Sequence, residues 1–110
     1  MNRILTAFSY YIESEDFENK LKELLQQDNP RITIKLIKDF ARSYSYFTIT
    51  DFISDSYNKE LDVDIQDFVM ILSKYMIYHK YKVGRCFYDA TSEYESNSYT
   101  YTTRIEIIKE

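Results

Sequence analysis

The sequence predicts a small α+β domain, mainly helical, that ends in an antiparallel β-hairpin. Three observations predict it. Apolar residues recur at helical spacing from Ile4 to His79. From Tyr99 the pattern switches to strict alternation, with Tyr99, Tyr101, Thr103, Ile105 and Ile107 on one face and Thr100, Thr102, Arg104, Glu106 and Ile108 on the other. The chain has 110 residues, 45% of them hydrophobic and 29% charged, which suits a single globular domain.

The elements follow in order. Ile4, Leu5, Phe8, Tyr11 and Ile12 form one helical stripe. Ser14 reads as an N-cap, and Glu15 and Asp16 sit where a helix start favours negative charge. Phe17, Leu21, Leu24 and Leu25 carry the stripe to Gln27, so residues 1–28 read as one bent helix or two short ones. Asp28-Asn29-Pro30 interrupts the chain, and Pro30 suits a first helical position. Residues 31–37 alternate like a strand. Ile34, Ile37, Phe40, Ala41 and Tyr44 also make a helical stripe, and with Pro30 they select a helix.

Tyr46, Phe47 and Ile49 form a short extended link. Thr48 or Thr50 then caps a short helix over residues 50–57, with Ile49, Phe52, Ile53 and Tyr57 facing one way. A longer helix spans residues 64–80. Asp64 is its cap, Val63 and Phe68 a hydrophobic staple, and Ile65, Phe68, Val69, Leu72, Tyr75, Met76 and His79 its stripe. Gly84 marks a break before a hairpin of residues 83–90 and 98–108, with a polar tip at 91–97. One domain results, with the helical segment 1–28 packed on a core of residues 30–110.

Phe47-Thr48-Ile49-Thr50-Asp51-Phe52 and the order helix, helix, hairpin resemble winged helix-turn-helix domains over residues 32–108. The resemblance implies a winged-helix-like scaffold whose second motif helix faces a DNA groove near its N-terminus. That would place Asp64, Gln66, Asp67 and Met70 on the bases, and Glu93, Tyr94 and Glu95 of the hairpin tip along the backbone. Residues 47–73 carry one lysine against six acids, and carboxylates facing phosphates oppose binding. The scaffold and its surface therefore point to different functions.

Charge and composition narrow the choice. Net charge is −4, so the chain as a whole is not drawn to phosphate. A single cysteine, Cys86, forms no internal disulfide. No apolar run approaches the ~18 residues of a membrane span. Met1–Ile12 lacks a cleavage pattern, and a reducing cytosol is the expected compartment. The 12 tyrosines fit an AT-rich genome as well as a sticky interface.

Chemistry finds little support. His79 is the only histidine and lies beside an apolar stripe, which fits a packed side chain. Cys86 falls in a strand and is expected to be a small buried residue. One glycine cannot make a phosphate-cradling loop. Asp62 and Asp64 are explained by helix-start chemistry rather than by a metal. The expectation is a protein that is not an enzyme, with no cofactor, catalytic residue or metal ligand.

The leading functional expectation is a protein-binding module. Its acidic surface, Asp51, Asp55, Glu60, Asp62, Asp64 and Asp67, would engage a basic protein surface and mimic nucleic acid in the groove of a nucleic-acid enzyme. Small size, acidity and AT-rich composition suit a phage or mobile-element inhibitor of the anti-CRISPR type. The rival is a winged-helix regulator that binds duplex DNA as a dimer through its basic clusters. These are Arg31, Lys35, Lys38 and Arg42 on one helical face, and Lys74, Lys80, Lys82 and Arg85 around the start of the hairpin. Interleaved Tyr44, Tyr46, Tyr78 and Tyr81 also suit single-stranded nucleic acid.

Overall fold

A computed structural model describes residues 2–108. The element order is α1 (Arg3–Ile12), α2 (Glu15–Leu24), β1 (Arg31–Asp39), β2 (Tyr44–Ile49), β3 (Phe52–Ile53), β4 (Tyr57–Asn58), α3 (Ile65–Tyr78), β5 (Lys82–Glu93) and β6 (Ser98–Ile108). The six strands form one antiparallel sheet in the order β3-β2-β1-β6-β5, with β4 also paired to β2. Sheet outweighs helix, so the expected mainly helical, winged-helix-like domain is corrected to a two-layer α+β fold.

Two segments account for the correction. Residues 31–37 are strand, because Ile32, Ile34 and Leu36 are fully buried at period two while Arg31, Thr33 and Lys35 turn away. The helical alternative would have stacked Ile34, Ile37, Phe40, Ala41 and Tyr44. Pairing of β1 with both β2 and β6 satisfies its backbone on two sides and overrides that stripe. Pro30 sits at the mouth of the strand, where it needs no N–H, and its carbonyl accepts from Ile107 N–H at 2.9 Å.

The helix expected over residues 50–57 is the second difference. Thr50 and Asp51 have left-handed φ values of 43° and 71° and form a tight turn that returns the chain onto β2. Ser54 locks this turn, with its hydroxyl accepting from Phe47 N–H at 2.9 Å and its own N–H donating to Phe47 O at 3.0 Å. The pair of motif helices behind the winged-helix likeness is therefore replaced by a hairpin and one helix.

α1 and α3 lie against one face of the sheet, and α2 packs beside α1 with Phe17 and Leu21 in the shared core. Ser14 caps α2 and Asp64 caps α3 as the sequence predicts, accepting from Phe17 N–H and Gln66 N–H. Val63 and Phe68, the expected staple, are both buried. Ile4, Phe8 and Ile12 of α1 and Phe68, Leu72 and Met76 of α3 meet Ile34, Leu36, Phe47, Ile49, Ile105 and Ile107 of the sheet in one core. Phe8 stands at its centre, edge-on to Phe47 at 5.3 Å and to Phe68 at 4.9 Å. Residues 1–28 thus contribute to the common core through α1 and Phe17 and Leu21 of α2.

Candidate nucleic-acid interface

With α1 and α3 on one side, the opposite face of the sheet is open, bordered at one end by the C-terminal half of α2. The strand registers fix its layout. Arg31 lies opposite Glu106, and Thr33 opposite Arg104. Arg104 in turn lies opposite Phe87 of β5. One step along, Lys35 sits between Thr48 and Thr102, and Thr102 lies opposite Asp89. Further on, Ile37 sits between Tyr46 and Thr100, and Asp39 between Tyr44 and Ser98.

Cations concentrate at one end of this face. The Arg31 and Arg85 guanidiniums lie 5.1 Å and 5.3 Å from the centre of the Phe87 ring. Arg85 is delivered to this face by a β-bulge between Val83 and Cys86. Its Nε–H donates to Glu106 at 2.7 Å, and this hydrogen bond is the main reason the Glu106 carboxyl is held below its ordinary value. Glu106 is thus the local counter-charge for a group that also holds Arg31, Arg104 and Lys35. With Glu106 and Asp89 on the same face, four cations against two carboxylates leave a positive local field on an acidic protein.

A groove of about 580 Å³ adjoins this end, lined by Arg31, Thr33, Lys35, Thr48 and Thr50 on the sheet side, by Lys20 and Gln27, and by the carboxylates of Glu23 and Asp51. The Thr50 hydroxyl on its wall is buried without a hydrogen-bond partner among the described residues. Tyr44 and Tyr46 are stacked at 6.2 Å toward the other end, offering flat, half-buried rings.

The basic residues singled out in the sequence do not form the helical face expected of them. Arg31 and Lys35 share the uncovered sheet face. Lys38 is on the helix side, over the Tyr101 ring at 5.5 Å. Burial pushes its amine below the ordinary value, partly offset by Asp64 and Asp62. Arg42 turns back to Asp39 in the β1–β2 connection. Lys74 is exposed on α3, Lys80 follows that helix with φ 66°, and Lys82 begins β5. Only Arg85 of the second cluster joins Arg31 and Lys35.

The acids occupy the β2–β3 turn, the connections from β3 to α3 and the first turn of α3; several are engaged within the chain, and Asp51 also lines the groove with Arg31 and Lys35. Asp51 lies 3.9 Å from Lys20. Glu60 accepts from Arg3 Nε–H at 3.2 Å. Asp62 and Asp64 line a small cavity with Lys38 and Tyr101, and Asp64 also caps α3. Asp67 lies in the first turn of α3, and Asp55 is exposed between β3 and β4.

His79 and Cys86, expected to be packed inside, are both exposed. His79 is the C-cap of α3 with its ring 4.2 Å from that of Tyr75, and Cys86 lies on the uncovered part of β5. Among the described residues no group of three or more His, Cys, Asp or Glu is placed to hold a metal ion. None of their helices is long and apolar enough to cross a membrane.

The residues of this face that the sequence pattern did not single out are Arg104, Phe87 and Thr33. The signal was present: alternation in residues 31–37 places Arg31, Thr33 and Lys35 together once the segment is a strand. The polar face of β6 already contained Thr100, Thr102 and Arg104. The fold and face together define a two-layer α+β domain with a basic, aromatic sheet platform. No family model matches the chain, and no curated protein or solved structure shows significant similarity to it.

Proposed function

We propose that this protein is a non-enzymatic binding module that takes single-stranded nucleic acid on the helix-free face of its sheet. The observation that carries it is the cluster of Arg31, Arg85 and Arg104 beside Phe87, with Lys35 one step along the same face and Glu106 and Asp89 as acids on it. Bringing two guanidiniums to one ring, with a third on the facing residue, costs like-charge repulsion unless an anion relieves it. The arginines and Lys35 would contact phosphates. Phe87, Tyr44 and Tyr46 would offer rings to bases, and the threonines would bond to backbone or sugar. A flat sheet accepts splayed bases, whereas duplex DNA calls for an element that enters a groove.

Fluorescence anisotropy with a labelled single-stranded oligonucleotide tests the reading. Arg31→Glu/Lys35→Glu should weaken binding at least tenfold, because each reversal replaces an attraction with a repulsion. An unchanged affinity, or no binding by the wild type at low salt, would overturn it.

A second reading keeps the acids as the working surface. Its support is the run of Asp55, Asp62, Asp64 and Asp67 on or beside the β3–α3 connection, away from the basic end of the sheet. In that case the protein is an inhibitor that docks on a basic protein groove. Asp62→Lys/Asp67→Lys would abolish capture of that partner and leave oligonucleotide binding unchanged.

A further inference from the structure

β5 is the edge strand of the sheet, and its length sets it apart. It runs for 12 residues, against a typical ~5–6 for strands in globular proteins. An edge strand presents a row of N–H and C=O groups to any second strand, and proteins usually blunt such edges with lysine, proline or a bulge. Here the bulge and Lys82 lie at one end only. From Cys86 to Ser92 there is no lysine and no proline, and Asp89 is the lone charge. The helix-side positions Cys86, Tyr88, Ala90 and Ser92 are exposed, with Tyr88 Oη donating to Gln66 of α3 at 3.4 Å.

The pairing geometry restricts what can add to it. Ile107 N–H points to β1, where it meets Pro30 O at 2.9 Å. By alternation the even-numbered residues of β6 face β5, so Arg104 with Phe87 and Thr102 with Asp89 are hydrogen-bonded pairs. The outward backbone groups of β5 therefore belong to Cys86, Tyr88, Ala90 and Ser92. A second β5 related by a two-fold axis can match them with the axis at Phe87. Cys86 then bonds Tyr88 of the second copy, and Phe87 faces Phe87 of the second copy across a close, non-hydrogen-bonded site. In that register Arg85 lies opposite Asp89 of the second copy, and Asp89 opposite Arg85 of the second copy. Shifting the axis to Tyr88 would set Arg85 against Thr91 and Phe87 against Asp89, and the charge match is lost.

We propose that this protein forms a homodimer by antiparallel pairing of two β5 strands about Phe87, which joins the two sheets into one continuous sheet. The pairing goes beyond the nucleic-acid reading and does not depend on it. It also brings the two basic platforms edge to edge.

The register makes the proposal testable on the full chain. Light scattering over a concentration series should give twice the 13.3 kDa chain mass. Cys86→Ser/Phe87→Cys should form an intermolecular disulfide under mild oxidation, because a non-hydrogen-bonded pair brings Cβ atoms within disulfide reach. Cys86→Ser/Thr91→Cys, whose register partner is Val83, should not. Asp89→Arg, which sets two arginines against each other, should shift the wild-type mass toward monomer with an unchanged circular dichroism spectrum. A monomer throughout, no crosslink at position 87, a crosslink at 91, or a dimer indifferent to Asp89→Arg overturns the proposal. Light scattering on Arg31→Glu/Lys35→Glu, whose changes lie on β1 and not on β5, reads the dimer separately from the binding face.

Discussion

Replacing Phe8 by alanine is the most demanding test of the two-layer core. Phe8 is fully buried and touches one ring from the sheet and one from α3, so it ties α1 to both. Removing a buried phenylalanine costs about 3–5 kcal/mol through lost transfer energy and the cavity left behind. Its two edge-on partners, each worth about 0.5–1.5 kcal/mol, place this site in the upper half of that range. A domain of this size has roughly 5–15 kcal/mol of stability, so Phe8→Ala removes about a quarter of it or more. At about 4–5 °C per kcal/mol the melting temperature should fall by roughly 16–25 °C. Tyr10, two residues on and 75% exposed, is the control, and Tyr10→Ala should stay within about 0.5 kcal/mol of wild type. Urea unfolding followed by circular dichroism measures both. A loss below about 1 kcal/mol for Phe8→Ala would mean that α1 does not pack on β2 and α3 as described.

Three further predictions concern polar groups. Ser54→Ala strands the buried Phe47 N–H and should destabilise by about 1–3 kcal/mol, read as a shift of the urea midpoint. Thr103→Val removes a fully buried hydroxyl that has no partner among the described residues, and should stabilise by about 1 kcal/mol in the same assay. Lys38 has a folded pKa below its ordinary 10.5, so between those two values the unfolded chain holds more protons and stability rises with pH. Lys38→Met lacks this rise, and unfolding curves that stay parallel for the two proteins on approaching pH 10.5 would contradict the burial of the amine.

Much of the fold was legible where local signals agreed. α1, α2 and α3 announce themselves by stripes, and Ser14 and Asp64 by cap chemistry, because helix periodicity and capping are read within one segment. β6 was legible because its alternation runs for 11 residues. β1 was ambiguous because its alternation is brief and overlaps a helical stripe through Ile34 and Ile37. The decision came from partners far along the chain, Phe47 and Ile105, which a local pattern does not contain. Residues 50–57 failed for a related reason. Two non-glycine residues in left-handed backbone make the turn, and the buried Ser54 hydroxyl holds it. The basic site was hidden by the same error, since Arg31 and Lys35 meet Arg104 and Phe87 only when residues 31–39 form the central strand.

The salt dependence of single-strand binding tests the central claim most directly. Contacts from Arg31, Lys35, Arg85 and Arg104 would neutralise three to four phosphates, which at about −0.7 per phosphate gives a log–log slope of roughly −2 to −3. Between 50 and 200 mM salt, affinity for a labelled single strand should fall by about 15- to 60-fold, with duplex of the same sequence bound more weakly throughout. Binding that ignores salt, or duplex bound as tightly as single strand, would contradict a sheet face built to hold an extended polyanion.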